Sequence, residues 1–351
     1  MTDKAYSMSA FLALRFIPKR GIVFADGVPY RYPEMPSAEN RILVRTPEEI
    51  DRALRIQTDD IRARSKQIGV LLSGGMDSGI LASYFKECDA YTFRFLGGAY
   101  QEEEMHRAEQ LAAINHMTLH YVDISWKTVQ EYLLPVMRLK GGPVHSIEPQ
   151  ICQAAVQAAK DGTDLMIIGD ASDYLFGGMD QLLSKDWLFE DFVRRYCYVD
   201  PTEVLQAPIR IDDVFEPYRN GIGIDTVRVL EELAMQESIG SYDNAFSAAG
   251  MAYFDHYEKL KMADPLDLER VRSGESKYLI RALFRMKYPD IPVPEKLPMP
   301  RPVDQYFADW KGPVRAEFRD DIPIAGYSGN QKWLIWCLER FLDLTDGTCT
   351  I

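Results

Sequence analysis

From residue 68 onward the chain repeats one unit, a short apolar run followed by an amphipathic stretch. Residues 68–72 form an apolar strand and 77–86 a helix; 90–95 form a second strand, followed by a helix over Glu102–Ile114. Residues 119–124 form a third strand, Ser125 caps the next helix, and a helix over roughly 149–160 leads into a strand at Leu165–Ile168. Strands this apolar are buried on both faces, and a helix between successive strands makes their neighbours parallel. The expectation is an α/β fold, a doubly wound parallel sheet whose ligands sit beyond the carboxyl ends of the strands.

The flanks differ. Residues 1–45 contain short β-like runs at 11–17 and 21–24, broken by Pro18, Gly27, Pro29, Pro33 and Pro36, and read as a small sheet or packing flap. Thr46-Pro47-Glu48-Glu49 then starts a helix running through Ala53 and Ile56 towards Arg64, with Thr46 as cap and Pro47 in the first turn. Beyond about Trp187 the pattern is mostly helical, with no strand expected. Pro289, Pro292, Pro294, Pro298, Pro300 and Pro302 form a loop that serves as rigid spacer or active-site wall. The organisation expected is a small N-terminal β-containing segment (1–45) and one domain (46–351). That domain divides into an α/β core at 46–184 and a mainly helical region at 185–351 that completes the active site.

Ser73-Gly74-Gly75-Met76-Asp77-Ser78 follows the first strand of the alternating region and opens a helix. Adjacent glycines let the backbone approach an anion and present its N–H groups, and the helix start adds partial positive charge. Ser73 and Ser78 offer hydroxyl donors. Asp77 is repelled by phosphate, so its expected role is to hold Mg²⁺ against it. No G-x-x-x-x-G-K-[ST] occurs, which excludes the usual γ-phosphate-transferring loop and favours holding a pyrophosphate unit. The plainer reading is a glycine turn with Asp77 or Ser78 as helix cap.

Gly169-Asp170-Ala171-Ser172-Asp173-Tyr174-Leu175-Phe176-Gly177-Gly178 follows the strand Leu165–Ile168. Asp170 and Asp173 repel one another unless a cation or substrate amine lies between them; the structural alternative makes Asp170 a helix cap and the glycines a helix stop. Together the two motifs resemble those of asparagine synthetases and β-lactam-forming synthetases, of the PP-loop, HUP-like ATP pyrophosphatase group. That family's second motif reads approximately G-E-G-S-D-E-x-F-G-G, and this chain shares Gly169, Ser172, Asp173, Phe176, Gly177 and Gly178.

The resemblance, over roughly residues 45–310, implies that Asp77 and Asp173 carry the Mg²⁺ of ATP, with Ser73, Gly74, Gly75 and Ser78 around the pyrophosphate. Glu103-Glu104 with Arg107-Ala108 and Leu111-Ala112 resembles the family's acidic helix, and Leu119-His120-Tyr121 its next strand. Lys277-Tyr278-Leu279-Ile280-Arg281 resembles the family's K-x-x-L-R helix, whose lysine contacts ATP phosphates; a helix-face charge pair is the alternative for Lys277 and Arg281. Lys296 falls where the family keeps a lysine that stabilises the acyl-transfer transition state, against a solvated loop lysine otherwise.

These residues imply an ATP-dependent amide-forming ligase. It adenylates a small-molecule carboxylate with release of pyrophosphate, then passes the acyl group to an amine or ammonia with release of AMP. Lys296 and Asp170 are the catalytic candidates, Asp170 accepting or orienting the amine proton. His145 and Arg281 are candidates for contacting substrate, a hydrogen-bonded loop histidine being the alternative for His145. Two features depart from the family. Met1 is followed by Thr2 rather than a nucleophilic cysteine, and the stretch before Thr46 is too short for a glutaminase domain. Asp170 stands where asparagine formation uses Glu and β-lactam formation Tyr, so the acceptor chemistry stays open. Ammonia from a separate glutaminase is one alternative, a non-catalytic nucleotide-binding relative another.

A net charge of −13 argues against a nucleic-acid face. Cys88, Cys152, Cys197, Cys337 and Cys349 are scattered and never spaced C-x-x-C, which excludes a zinc ribbon or disulfide framework and leaves incidental thiols. An enzyme activating RNA for thiolation would need a cysteine pair and a basic surface. No apolar run is long enough for a membrane span, so cytoplasm is the expected location, with no membrane partner. A homodimer and a partner glutaminase are the protein associations left open. Trp333, Trp336 and Phe341 fall near helical spacing and read as core.

Overall fold

The computed structural model describes residues 1–97, 102–295, 299 and 301–347. In chain order, helix α1 (Lys4–Leu14) is followed by strand β1 (Ile42–Val44), helix α2 (Pro47–Arg64), strand β2 (Ile68–Leu71) and helix α3 (Met76–Ala82). Strand β3 (Asp89–Phe95), helix α4 (Glu102–Ile114), strand β4 (Thr118–Ile124), helices α5 (Trp126–Lys140) and α6 (Glu148–Lys160), and strand β5 (Leu165–Ile168) continue the alternation. After the short helix α7 (Ser172–Leu175) come helix α8 (Met235–Ala249), strands β6 (Ala252–Asp255) and β7 (Leu260–Met262), and helices α9 (Tyr278–Lys287) and α10 (Gly329–Thr345).

Five strands form a parallel sheet in the order β4-β3-β2-β5-β6. The chain builds outward from β2 to β4, then returns to the other side of β2 for β5. That reversal opens a crevice beyond the carboxyl ends of β2 and β5, where both glycine-containing motifs begin. Alternate residues of the central strands enter opposite cores. Val70 and Ile167 pack on the side of α2, α3, α4 and α9; Leu71, Met166 and Ile168 pack on the side of α5, α6 and α8. All four residues of β2 are buried, as a sheet covered on both faces requires.

The helix starts follow their local chemistry. Thr46 accepts the Glu49 N–H at 3.2 Å, and the Glu49 carboxylate reaches back to the Arg45 N–H at 2.7 Å, one residue short of a standard capping box. Ser125 and Thr128 form the reciprocal pair at the start of α5. Trp333, Trp336 and Phe341 are buried on α10.

Two expectations need correction. Residues 11–17 are not β-like: 11–14 end helix α1, which turns into a left-handed conformation at Arg15 (φ 68°). Every residue from Tyr6 to Leu14 is buried, so the run lacks the polar face that would have marked a helix. The strand of the N-terminal segment is β1 instead, paired parallel with β7. Strands also exist beyond Trp187: β6 completes the central sheet beside β5, and β7 pairs with β1. A four-residue run at the end of a long helix carries too little periodicity to announce itself. No helix among the described residues is long and apolar enough to cross a membrane.

Candidate active site

The loop from β2 to α3 is closed on itself by its two serines. Ser73 and Ser78 hydroxyl oxygens lie 3.0 Å apart, Ser78 Oγ accepts the Ser73 N–H at 3.2 Å, and Ser73 Oγ accepts the Gly75 N–H at 3.3 Å. Gly74 has φ 77°, and a Cβ there would run into the Glu104 carbonyl, so only glycine fits where α4 crosses the loop. No side chain caps α3, so the first N–H groups of that helix have no side-chain acceptor.

The loop after β5 is held from the neighbouring strand. Asp255, at the end of β6, accepts the N–H groups of Asp170 (3.0 Å), Ala171 (2.8 Å) and Tyr257 (2.9 Å). Ser172 then donates its hydroxyl to Asp77 Oδ1 at 2.6 Å, joining the two motifs. Lys277, itself left-handed at φ 54° just before α9, donates Nζ to Asp77 Oδ2 and lies within 2.6 Å of both Asp77 and Asp173. Burial penalises this ammonium, but Asp173 and Asp77 outweigh it and hold its pKa above the ordinary value. A Cβ on Gly178 would collide with the Asp173 carboxylate and come within 2.6 Å of Lys277 Cε, so glycine at this position is what admits the cluster.

These groups line an open cleft of ≈ 1200 Å³ that includes Ser73–Ser78, Asp170, Asp173 and Lys277. Pro294, Glu295 and Met299 of the proline-dense loop form part of its wall, tied to α4 by a hydrogen bond from Arg107 to the Glu295 carbonyl at 3.3 Å. Two of its acids are perturbed. Burial pushes Asp170 up to about 7, opposed by a hydrogen bond from Ser238 and reinforced by Asp173. Burial likewise pushes Glu104 up to about 8, opposed by Arg107. Asp170 Oδ2 and Glu104 Oε2 are both buried without a hydrogen-bond partner.

His145 lies elsewhere, in a second chamber of ≈ 1750 Å³ with Arg15, Tyr174, Tyr198, Glu237 and Arg301 in its walls. Burial, with Arg15 and Arg301 beside it, drives the imidazole well below its ordinary pKa, so it is neutral at physiological pH. Its backbone N–H donates to Glu148 Oε1 at 2.7 Å, and Glu148 is in turn paired with Lys140 at 3.0 Å in full burial.

The structure thus brings Ser73, Gly74, Gly75, Asp77, Ser78, Asp170, Asp173 and Lys277 to one cleft and sets His145 in the adjoining chamber. Arg281 lines neither; its Nε donates to the Ser276 carbonyl at 2.7 Å on α9. Lys296 lies outside the described residues. Sequence reasoning assigned no role to Asp255, Glu104, Arg15, Glu237 or Arg301. Glu104 stood inside a motif already noticed. The others carry no local signal, because their neighbours in space are far away in sequence.

The family described as Asparagine synthase matches residues 49–291, more than half the chain. No curated protein sequence matches it. Among solved structures, the NH3-dependent NAD synthetase from Campylobacter jejuni subsp. jejuni NCTC 11168 is 16% identical, with a TM-score of 0.27 over 37% of this chain and 60% of that one. The NMN synthetase from Francisella tularensis is 10% identical, with a TM-score of 0.28 over 72% of this chain and 98% of its own. At such scores neither likeness bears on substrate or activity.

Proposed function

The chain belongs to the asparagine synthase family of ATP-using ligases, and from that premise we propose that it adenylates the carboxylate of a small acid and transfers the acyl group to an amine or ammonia. One observation supports this reading most: Asp77, Asp173 and Lys277 converge at one point beneath the Ser73–Ser78 loop. The substrate carboxylate would attack the α-phosphorus of ATP, and the loop N–H groups with Ser73 and Ser78 would hold the departing pyrophosphate. Donors arranged in advance around developing charge are commonly the largest contribution to catalysis.

The residues fit Mg²⁺. Two carboxylates already meet on one cation, oxygen ligands suit a hard ion, and such an ion commonly takes one or two carboxylates plus phosphates and water. No cluster of three or more His, Cys, Asp or Glu ligands occurs among the described residues, so phosphates and water would complete the set. Held by Asp77 and Asp173, the ion would supply charge neutralisation at the phosphates. Lys277 would turn its ammonium from the aspartates onto a phosphate oxygen. Asp170, half-protonated near neutral pH, would take the proton released when the amine attacks the acyl-adenylate. Lys296 would meet the tetrahedral oxyanion, on the strength of the family pattern alone.

The test is isotope exchange between ATP and pyrophosphate across a panel of carboxylates. Exchange that needs an acid and disappears in Asp77→Ala supports adenylation. Formation of ADP and phosphate, with no AMP under any pair of substrates, rejects it.

A further inference from the structure

The two aspartates beneath the glycine-serine loop already share a cation. Lys277 Nζ lies 2.6 Å from Asp77 Oδ2 and 2.6 Å from Asp173 Oδ1. The other oxygen of Asp77 is engaged as well, accepting the Ser172 hydroxyl at 2.6 Å. Hard divalent ions bind through carboxylate oxygens. An ion bridging Asp77 and Asp173 through their nearest oxygens therefore meets the ammonium at those same atoms.

The lysine is fitted to this position rather than straying into it. Its backbone is left-handed at φ 54°, a conformation that a non-glycine residue keeps only when its surroundings enforce it. Its Cε packs so closely over Gly178 that a Cβ there would stand 2.6 Å away. The Lys277 side chain is 3% exposed, whereas those of Asp77 and Asp173 are 20% and 28% exposed. The ammonium thus reaches the carboxylates from inside the protein, and the carboxylates open onto the cleft. Among the described residues, Asp77 and Asp173 are its ion-pair partners.

This burial sets the cost of admitting a metal ion by itself. An ion that takes the two carboxylates leaves a buried ammonium without its counter-charges. Breaking a buried pair in this way weakens binding by about 10²- to 10³-fold. A phosphate chain removes the cost, because its oxygens accept charge-assisted hydrogen bonds from the displaced ammonium. Metal and phosphates arriving together keep every charge paired. Neither does so alone: a bare phosphate chain meets two carboxylates, and a bare metal ion strands the lysine.

We propose that Lys277 competes with the divalent cation for Asp77 and Asp173, so that the site rejects the free ion and selects the metal–nucleotide complex. Lys277 is then a specificity-determining residue for the form in which the nucleotide enters, beyond its contact with phosphate. The competition rests on the functional reading only in that Asp77 and Asp173 hold the metal; it does not need adenylation. Coupling between two ligands is reciprocal, so phosphate strengthens metal binding by the same factor as metal strengthens phosphate binding. Removing the ammonium shrinks that factor by raising the affinity for metal alone.

The experiment titrates the full chain with Mn²⁺, reading the free ion by electron paramagnetic resonance with and without inorganic pyrophosphate. The parent should bind Mn²⁺ in the cleft when pyrophosphate is present and not without it. Lys277→Met should bind Mn²⁺ without pyrophosphate about 10²-fold more tightly than the parent, and adding Asp173→Asn to that variant should abolish the gain. Lys277→Gln serves the same purpose should the methionine variant not fold. Equal affinities in parent and variant, or binding by the parent without pyrophosphate that Asp173→Asn removes, overturns the proposal. No Mn²⁺ binding in any form removes the metal-holding pair and the competition together. Competition without ATP–pyrophosphate exchange on any acid leaves the proposal standing and removes adenylation. Exchange that needs Asp77, beside a Lys277→Met variant with no gain in metal affinity, removes the proposal alone.

Discussion

The cleft and the chamber share the loop from Gly169 to Gly178 as a wall, yet they are made in different ways. The six-residue turn Ser73–Ser78 lines the cleft as one unbroken stretch, joined by Gly169, Asp170 and Asp173 from the second turn and by Lys277 from just before α9. The chamber draws its charged groups from Arg15, Asp180, Arg195, Glu237 and Arg301, scattered along the chain. The difference is one between a site made locally and a site made by tertiary convergence. Gripping a phosphate chain needs backbone N–H groups and small residues at a strand end, which is a local property. Bringing Arg15, His145, Glu237 and Arg301 together needs side chains converging from several elements, which is not.

The contrast can be broken experimentally, beginning with the largest effect. Asp173→Asn leaves Lys277 facing one carboxylate and should lower ATP–pyrophosphate exchange by about 10³-fold or more, with far-ultraviolet circular dichroism unchanged. Exchange within tenfold of the parent would detach Asp173 from the chemistry. Lys140→Met strands the buried Glu148 under the chamber and should cost roughly 3–5 kcal/mol of stability in urea unfolding. Below its unfolding midpoint the variant should still bind ATP, because the pair touches the His145 loop and not the cleft. Loss of ATP binding in the folded variant would show the two spaces to be mechanically coupled.

Asp170 sharpens the boundary between them. Its folded pKa of about 7 lies above the ordinary 3.8, so the fold favours the protonated form. The stability tied to that proton is complete below about pH 4 and lost as pH rises through about 7. Asp170→Asn should therefore stabilise the protein at pH 8 by on the order of 2–4 kcal/mol, a gain that vanishes towards pH 4. The same variant should slow amide formation about 10²-fold while sparing exchange. No pH dependence in the stability difference would mean that Asp170 titrates normally.

The smallest effect belongs to Glu104. With its carboxyl pushed up to about 8, it is neutral at pH 7, and the shape-matched Glu104→Gln should keep exchange within about twofold there. Above pH 8 the parent should lose exchange as a carboxylate appears beside the phosphate loop, and the variant should not. Identical pH profiles would remove Glu104 from the cleft's electrostatics.

Much of the scaffold was legible in advance because its signals are short-range. The helix Glu102–Ile114 and the strand Leu165–Ile168 occupy the expected residues, and the Thr46 and Ser125 caps form where their side chains predict. Helix α1 was misread for a physical reason: buried on all sides by tertiary packing, it shows neither a polar stripe nor a strict alternation. Strand β6 was missed because pairing with β5, rather than its own composition, makes Ala252–Asp255 extend.

What the amino-acid order determined unaided is the alternation of strand and helix and the two glycine-containing turns, since each depends on residues a few positions apart. Tertiary structure alone decided that Asp255 would hold the second turn, that Lys277 would stand between Asp77 and Asp173, and that Arg15 and Arg301 would meet on His145. Those meetings are set by which faces the cores bury, and burial is a property of the whole chain folded at once.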